Sequence, residues 1–265
     1  MPAEHRTKGQ TSTMSTAIKS MIENLANRFG FEVRTLRDPV LDEDKTFQEI
    51  FAKCKPYTQT SKARMYCLYN AIGYLINRGV VGDFVECGVW RGGSLMVIAL
   101  SLLKKGVNSR NIYAYDTFRG TTAPTSEDYQ LFDGREASAL YDRARRKDDR
   151  GWLTWISLSE VEANLATTHY PRERIIFVKG EVEKTIPQAA PDKIALLRLD
   201  TDWYASTKHE LTHLFPRIAQ NGVILIDDYG HWNGSKKAVD EYFASNGITI
   251  LLSRIDYTGR IGVKS

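Results

Sequence analysis

The chain has 265 residues, of which 42% are hydrophobic, and carries a formal net charge of +4. That length fits one large domain, or one domain with appendages. The mild charge, spread along the chain, argues against a nucleic-acid binder, and no apolar run approaches the ~20 residues of a membrane span. Cys54, Cys67 and Cys87 are too few and too scattered for a disulfide framework or a Cys-rich zinc site, and they read as reduced thiols of a cytoplasmic protein.

Residues 1–55 are mostly polar with a helical tendency and read as an N-terminal arm; the start lacks the apolar region of a signal peptide. Residues 56–265 read as one domain. Ser61 to Arg78 predicts a helix, with Met65, Leu68, Tyr69, Ile72, Leu75 and Ile76 near a 3.6-residue period. From Gly82 the pattern alternates: a strand over 83–87, a helix over 94–105, a strand over 111–116. Residues 121–158 are long, charged and weakly periodic, which predicts a lid insertion. Ser159 is placed to cap the next helix, with Glu162 completing a capping box. Strands over 174–179, 194–200 and 223–227 follow, interleaved with helices over 206–215 and 235–245. Strands over 248–252 and 260–264 finish the chain. The expectation is an α/β fold, a doubly wound and mostly parallel seven-stranded sheet with an antiparallel end.

Two of these strands end in carboxylates: Leu197 to Leu199 runs into Asp200-Thr201-Asp202, and Val223 to Ile226 into Asp227-Asp228. Parallel neighbours bring such ends together, where open α/β sheets bind ligands. Crowded carboxylates repel unless a cation sits among them, and hard oxygen ligands suit Mg²⁺, Mn²⁺ or Ca²⁺. The loop Gly88-Val89-Trp90-Arg91-Gly92-Gly93-Ser94 joins the first strand to the first helix, where free N–H groups favour an anion. Its spacing matches neither the dinucleotide fingerprint nor the P-loop. Asp116, at the second strand end, is placed to accept from both ribose hydroxyls. Glu86, Gly88 and Asp116 together describe a nucleoside with a small charged tail, as in S-adenosylmethionine. A rival motif is His209-Glu210-Leu211-Thr212-His213, which matches the His-Glu-x-x-His of zinc hydrolases. Pro216 closes that helix early, and no third His extends the pattern. A metal-dependent hydrolase is therefore the alternative reading. His231, beside the acidic pair, is a further functional candidate.

Three blocks in order, Gly82 to Gly93, Leu199 to Thr207 and Ile226 to Gly230, the last followed by Gly234 and Lys237 to Phe243, resemble the motifs of the macrocin O-methyltransferase family. The resemblance runs from about Tyr57 to Phe243. It implies a class I methyltransferase fold that uses S-adenosylmethionine and Mg²⁺, with Mn²⁺ as a substitute, to methylate a sugar hydroxyl, most readily that of a deoxysugar on an antibiotic. It implies Asp200, Asp227 and Asp228 as metal ligands and Asp202 as general base. The residues expected on the cofactor are Glu86, Gly88, Trp90, Arg91, Ser94 and Asp116. The expected partner is a small glycoside acceptor, with no nucleic acid and no membrane, and the expected assembly is a homo-oligomer, a dimer or larger. Trp203 and Gly180-Glu181 depart from the family pattern, and Trp152 and Trp155 are placed to cover the acceptor from the lid.

Overall fold

A computed structural model describes residues 16–30, 38–147 and 156–265. The chain divides into two compact units, one ending at Glu43 and one beginning at Asp44. The described elements of the first are helices α1 (Thr16–Arg28) and α2 (Pro39–Glu43). The second opens with α3 (Lys45–Cys54), whose N-cap Asp44 accepts from the Phe47 N–H, so the later part of the stretch expected as an arm belongs to the main body.

After α3 come α4 (Lys62–Asn77), β1 (Asp83–Cys87), α5 (Gly93–Lys104), β2 (Ile112–Asp116), α6 (Ala137–Lys147), α7 (Leu158–Ala166), β3 (Ile175–Lys179) and α8 (Val182–Thr185). β4 (Ile194–Leu199), α9 (Tyr204–Leu214), β5 (Ile218–Ile226), α10 (Asn233–Ser245), β6 (Ser253–Arg254) and β7 (Arg260–Val263) complete the unit. The sheet has the order β3-β2-β1-β4-β5-β7-β6. β1 to β5 are parallel, and β7 runs antiparallel to β5 and β6. This is the seven-stranded α/β sheet expected from the alternating pattern. All six residues of β4 are buried, as a strand with helices on both faces requires.

Register aligns the functional ends. Cys87 lies opposite both Tyr115 and Leu199, and Leu199 lies opposite Ile226. The next residues, Gly88, Asp116, Asp200 and Asp227, therefore leave the sheet at one edge. Strand order reverses between β1 and β4, which makes that edge the switch-point crevice of a doubly wound sheet.

Two local expectations are corrected. The strand placed at 248–252 is not one; pairing falls at Ser253–Arg254 instead. Ile248, Ile250 and Leu252 owe their alternation to packing on the core rather than to a ladder. The cap of α7 is Ser157, not Ser159: its hydroxyl accepts from the Glu160 N–H at 3.2 Å. Ser157-x-x-Glu160 is the same box two residues earlier, and it sets the apolar Ile156 and Val161 at the positions of a hydrophobic staple.

Candidate active site

A cavity of about 320 Å³ opens at the switch point, lined among others by Glu86, Gly88, Trp90, Ser94 and Asp116 on one side and Asp200, Asp202, Asp227 and Asp228 on the other. Nine of the ten residues expected from the sequence thus meet in one space. Arg91 stands apart: its guanidinium bonds Glu160 at 2.8 and 3.0 Å, on the outer side of the glycine loop.

On the first side, Gly88 has φ +84, and a Cβ there would lie 1.9 Å from the Asp200 carbonyl oxygen. Only glycine lets the β1 turn pass so close to the β4 turn. Asp116 accepts from the Val89 N–H at 2.7 Å and the Phe118 N–H at 2.7 Å. It therefore ties the glycine loop to the end of β2, while retaining further acceptor capacity toward the cavity. Burial raises its pKa against those hydrogen bonds. Glu86 is bonded through Oε1 to Arg198, while its Oε2 is buried without a partner, as is the Trp90 Nε1–H. A buried acceptor and a buried donor left over in one cradle suit the ammonium and carboxylate of an amino-acid tail. Burial pushes Glu86 up to about 8, against the pull of Arg198.

On the other side, one oxygen each from Asp200, Asp227 and Asp228 lies within 4.8 Å of the others. Arg198 reaches between them, 2.8 Å from Asp200 and 2.7 Å from Asp227, with its second contact to Thr60 at 3.1 Å. Arg64, from α4, pairs with Asp227 and also with Asp256 at 3.0 Å. Neither arginine was expected. Arg198 carried a signal, since a charge inside an apolar strand is costly unless it is paired. Two guanidiniums stand against five carboxyl groups, those of Glu86, Asp200, Asp202, Asp227 and Asp228, so negative charge is left over. Burial first, then the neighbouring Asp202, pushes Asp228 well up; burial and then Asp200 do the same to Asp202. Burial raises Asp200 to about 6. An oxygen-rich, charge-excess cluster of this kind fits a hard divalent cation.

Asp202 has φ +67, and its Oδ1 accepts from Trp232 Nε1 at 3.1 Å. His231 also lines the cavity. Its Nε2 faces the Gln130 amide nitrogen at 3.3 Å and its Nδ1 the Tyr257 hydroxyl at 3.0 Å. Burial and then Arg64 lower its pKa, which keeps it neutral near pH 7. Gln130 belongs to the insertion, which is fastened from inside. Trp203 Nε1 donates to the Thr122 carbonyl at 2.8 Å, and Asp128 accepts from the Tyr204 N–H at 2.8 Å. Trp152 and Trp155 lie outside the described residues.

The His-Glu-x-x-His motif does not form a metal site. Among the described residues, the acid, His or Cys group of three or more close enough to share an ion is Asp200, Asp227 and Asp228. Glu210 is fully buried and bonded to Thr201, while His209 bonds the Ile186 carbonyl at 2.9 Å. Four residues apart, the two histidines share a face of α9; Glu210 points elsewhere.

The sheet order, the glycine loop at β1 and the acid at β2 define a class I methyltransferase. The family model of the macrocin O-methyltransferases (TylF) matches residues 7–261, and the chain belongs to that family. It is an S-adenosylmethionine-dependent O-methyltransferase. It is 30% identical over 242 residues to demethyldecarbamoylnovobiocin O-methyltransferase of Streptomyces niveus, covering 91% of this chain and 87% of that one. It is also 30% identical to mycinamicin III 3''-O-methyltransferase of Micromonospora griseorubida, over 77% of this chain and 76% of that one. The solved O-methyltransferase NovP superposes with a TM-score of 0.68 at 30% identity, over 79% of this chain and 82% of that one. No described helix is long and apolar enough to cross a membrane.

Proposed function

We propose that this enzyme methylates a hydroxyl of a deoxysugar on a natural product, with Mg²⁺ held by Asp200, Asp227 and Asp228 and with Asp202 as general base. The observation that carries the reading is the cavity itself, with an amino-acid and nucleoside cradle on one wall and a charge-excess carboxylate cluster on the other. A further relative, 30% identical over 77% of this chain, is named 8-demethyl-8-(2,3-dimethoxy-alpha-L-rhamnosyl)-tetracenomycin-C 4'-O-methyltransferase of Streptomyces olivaceus, and it supports a deoxysugar as the acceptor class.

When bound, S-adenosylmethionine would supply an activated methyl group, and a divalent cation held by Asp200, Asp227 and Asp228 would supply Lewis-acid polarisation of the acceptor hydroxyl. The chain does the rest. Asp202 has one oxygen fixed by Trp232, which leaves the other to accept the hydroxyl proton. Glu86 and Trp90 hold the tail, and Asp116 the ribose, so that much of the rate comes from position. The insertion, pinned through Thr122 and Asp128, covers the acceptor and excludes water.

The test is transfer of labelled methyl to rhamnosyl or other deoxysugar glycosides, with EDTA and with added Mg²⁺. Loss in EDTA and recovery with Mg²⁺ are expected; full activity in EDTA removes the metal from the mechanism.

A further inference from the structure

Glu210 belongs to the His-Glu-x-x-His sequence, which the reaction does not use, and it has no exposed surface. A carboxyl in such a position is costly unless its bonds compensate. Its bonds are specific. The Thr201 hydroxyl reaches both of its oxygens, at 3.0 and 3.2 Å. Thr201 stands between Asp200 and Asp202.

The segment that Thr201 belongs to is under constraint. Asp202 holds φ +67, a region unfavourable for a residue with a side chain, which persists only where the surroundings over-determine it. The Thr201 carbonyl is fixed by the Trp203 N–H at 2.8 Å and the Ser206 hydroxyl at 3.3 Å. Those bonds hold the backbone from the α9 side. The hydroxyl tie to Glu210 adds a side-chain bond between Asp200 and Asp202, the two residues whose carboxylates line the cavity.

We infer that Glu210 is a positioning residue: through the Thr201 hydroxyl it sets the Asp200–Asp202 segment and thereby the cation affinity of the carboxylate cluster. The inference rests on the metal reading given above. Partners one shell behind a metal's ligands change affinity by about 10–100-fold when removed.

The experiment measures Mn²⁺ binding by electron paramagnetic resonance and S-adenosylmethionine binding by calorimetry, on full-length protein, for Thr201→Val, Thr201→Ser, Glu210→Gln and Glu210→Leu. Thr201→Val removes the tie at a partly exposed position and keeps the fold in reach; its Mn²⁺ affinity is expected to fall by about tenfold or more, with S-adenosylmethionine affinity within about twofold. Thr201→Ser, which keeps the hydroxyl, is expected to restore it, and Glu210→Gln, which keeps an acceptor, to fall less than Glu210→Leu. Wild-type Mn²⁺ affinity in Thr201→Val overturns the inference, whatever the Glu210 variants do. So does a loss of both affinities in parallel with thermal stability, which marks a purely structural role. If the wild-type protein itself takes up no Mn²⁺, the metal reading falls and this inference with it; binding in wild type with no change in Thr201→Val sinks the inference alone.

Discussion

The two walls of the cavity are built differently. The cofactor wall comes from a short stretch, Glu86 to Thr117, held by the pairing of β1 with β2 and by the bonds from Asp116 into the glycine loop. The acceptor wall draws on Gln130, Ile156, Asp202, His231, Trp232 and Tyr257, which are far apart in sequence. A main-chain ladder and the Asp116 bonds fix the first; side-chain bonds such as Trp232 to Asp202 and His231 to Tyr257, with a main-chain bridge between Gln130 and Trp232, fix the second. A common methyl donor needs one unchanging cradle, whereas acceptors differ, and side-chain bonds can be exchanged without disturbing the sheet.

Substitutions on the acceptor wall should therefore spare cofactor binding. The largest effect is expected from Asp227→Asn with Asp228→Asn: several kcal/mol of charge stabilisation removed, about 10³-fold or more in kcat, with S-adenosylmethionine affinity nearly intact by calorimetry. Activity that survives the pair removes the cluster from the chemistry. Asp202→Asn should cost about 10²-fold in turnover and change Mg²⁺ half-saturation less than kcat; normal turnover there dismisses it as base. Gly88→Ala strikes the other wall, where the new Cβ meets the Asp200 carbonyl. It should lower thermal stability and cofactor affinity together, and a variant that binds S-adenosylmethionine normally would show that the two turns can part. Trp232→Phe keeps the packing but removes the bond to Asp202, and should lower kcat about tenfold, as a hydrogen bond to a charged group is worth about 1.5–3 kcal/mol, with cofactor affinity unchanged.

The smallest effect is chemical labelling. Burial pushes Cys67 up to about 11 and Cys54 up to about 12. The thiolate is the reactive form, so both should alkylate slowly near pH 8 and faster with each pH unit above, Cys67 ahead of Cys54. Fast modification of Cys54 in the native state, read by mass spectrometry, would mean that the α3 side opens readily.

The sheet and the cluster were legible because apolar runs of strand length ended in carboxylates, and parallel pairing has to bring such ends together. The glycine loop was legible because it sat between a strand and a helix. What stayed hidden depended on contacts across long sequence distance. Arg64 sits on a helix whose periodicity says nothing of Asp227, more than a hundred residues on. The Gln130, His231 and Tyr257 chain joins three separate segments. Glu210 was visible as part of a motif, but its partner Thr201 was not, because a His-Glu-x-x-His pattern specifies spacing and not which face of the helix is buried. Apolar alternation at 248–252 could not distinguish a ladder from a loop packed on the core.

Arg198 and Arg64 give the acidic cluster an internal counter-charge. In the proposed mechanism the cation is then bound against competition from two fixed guanidiniums, and its removal leaves a cluster that those side chains still neutralise in part. Such a protein should keep its melting temperature when chelated, unlike a domain stapled by structural zinc. Its turnover would follow the free magnesium of its surroundings, so that the metal works as an exchangeable reagent and is not part of the scaffold.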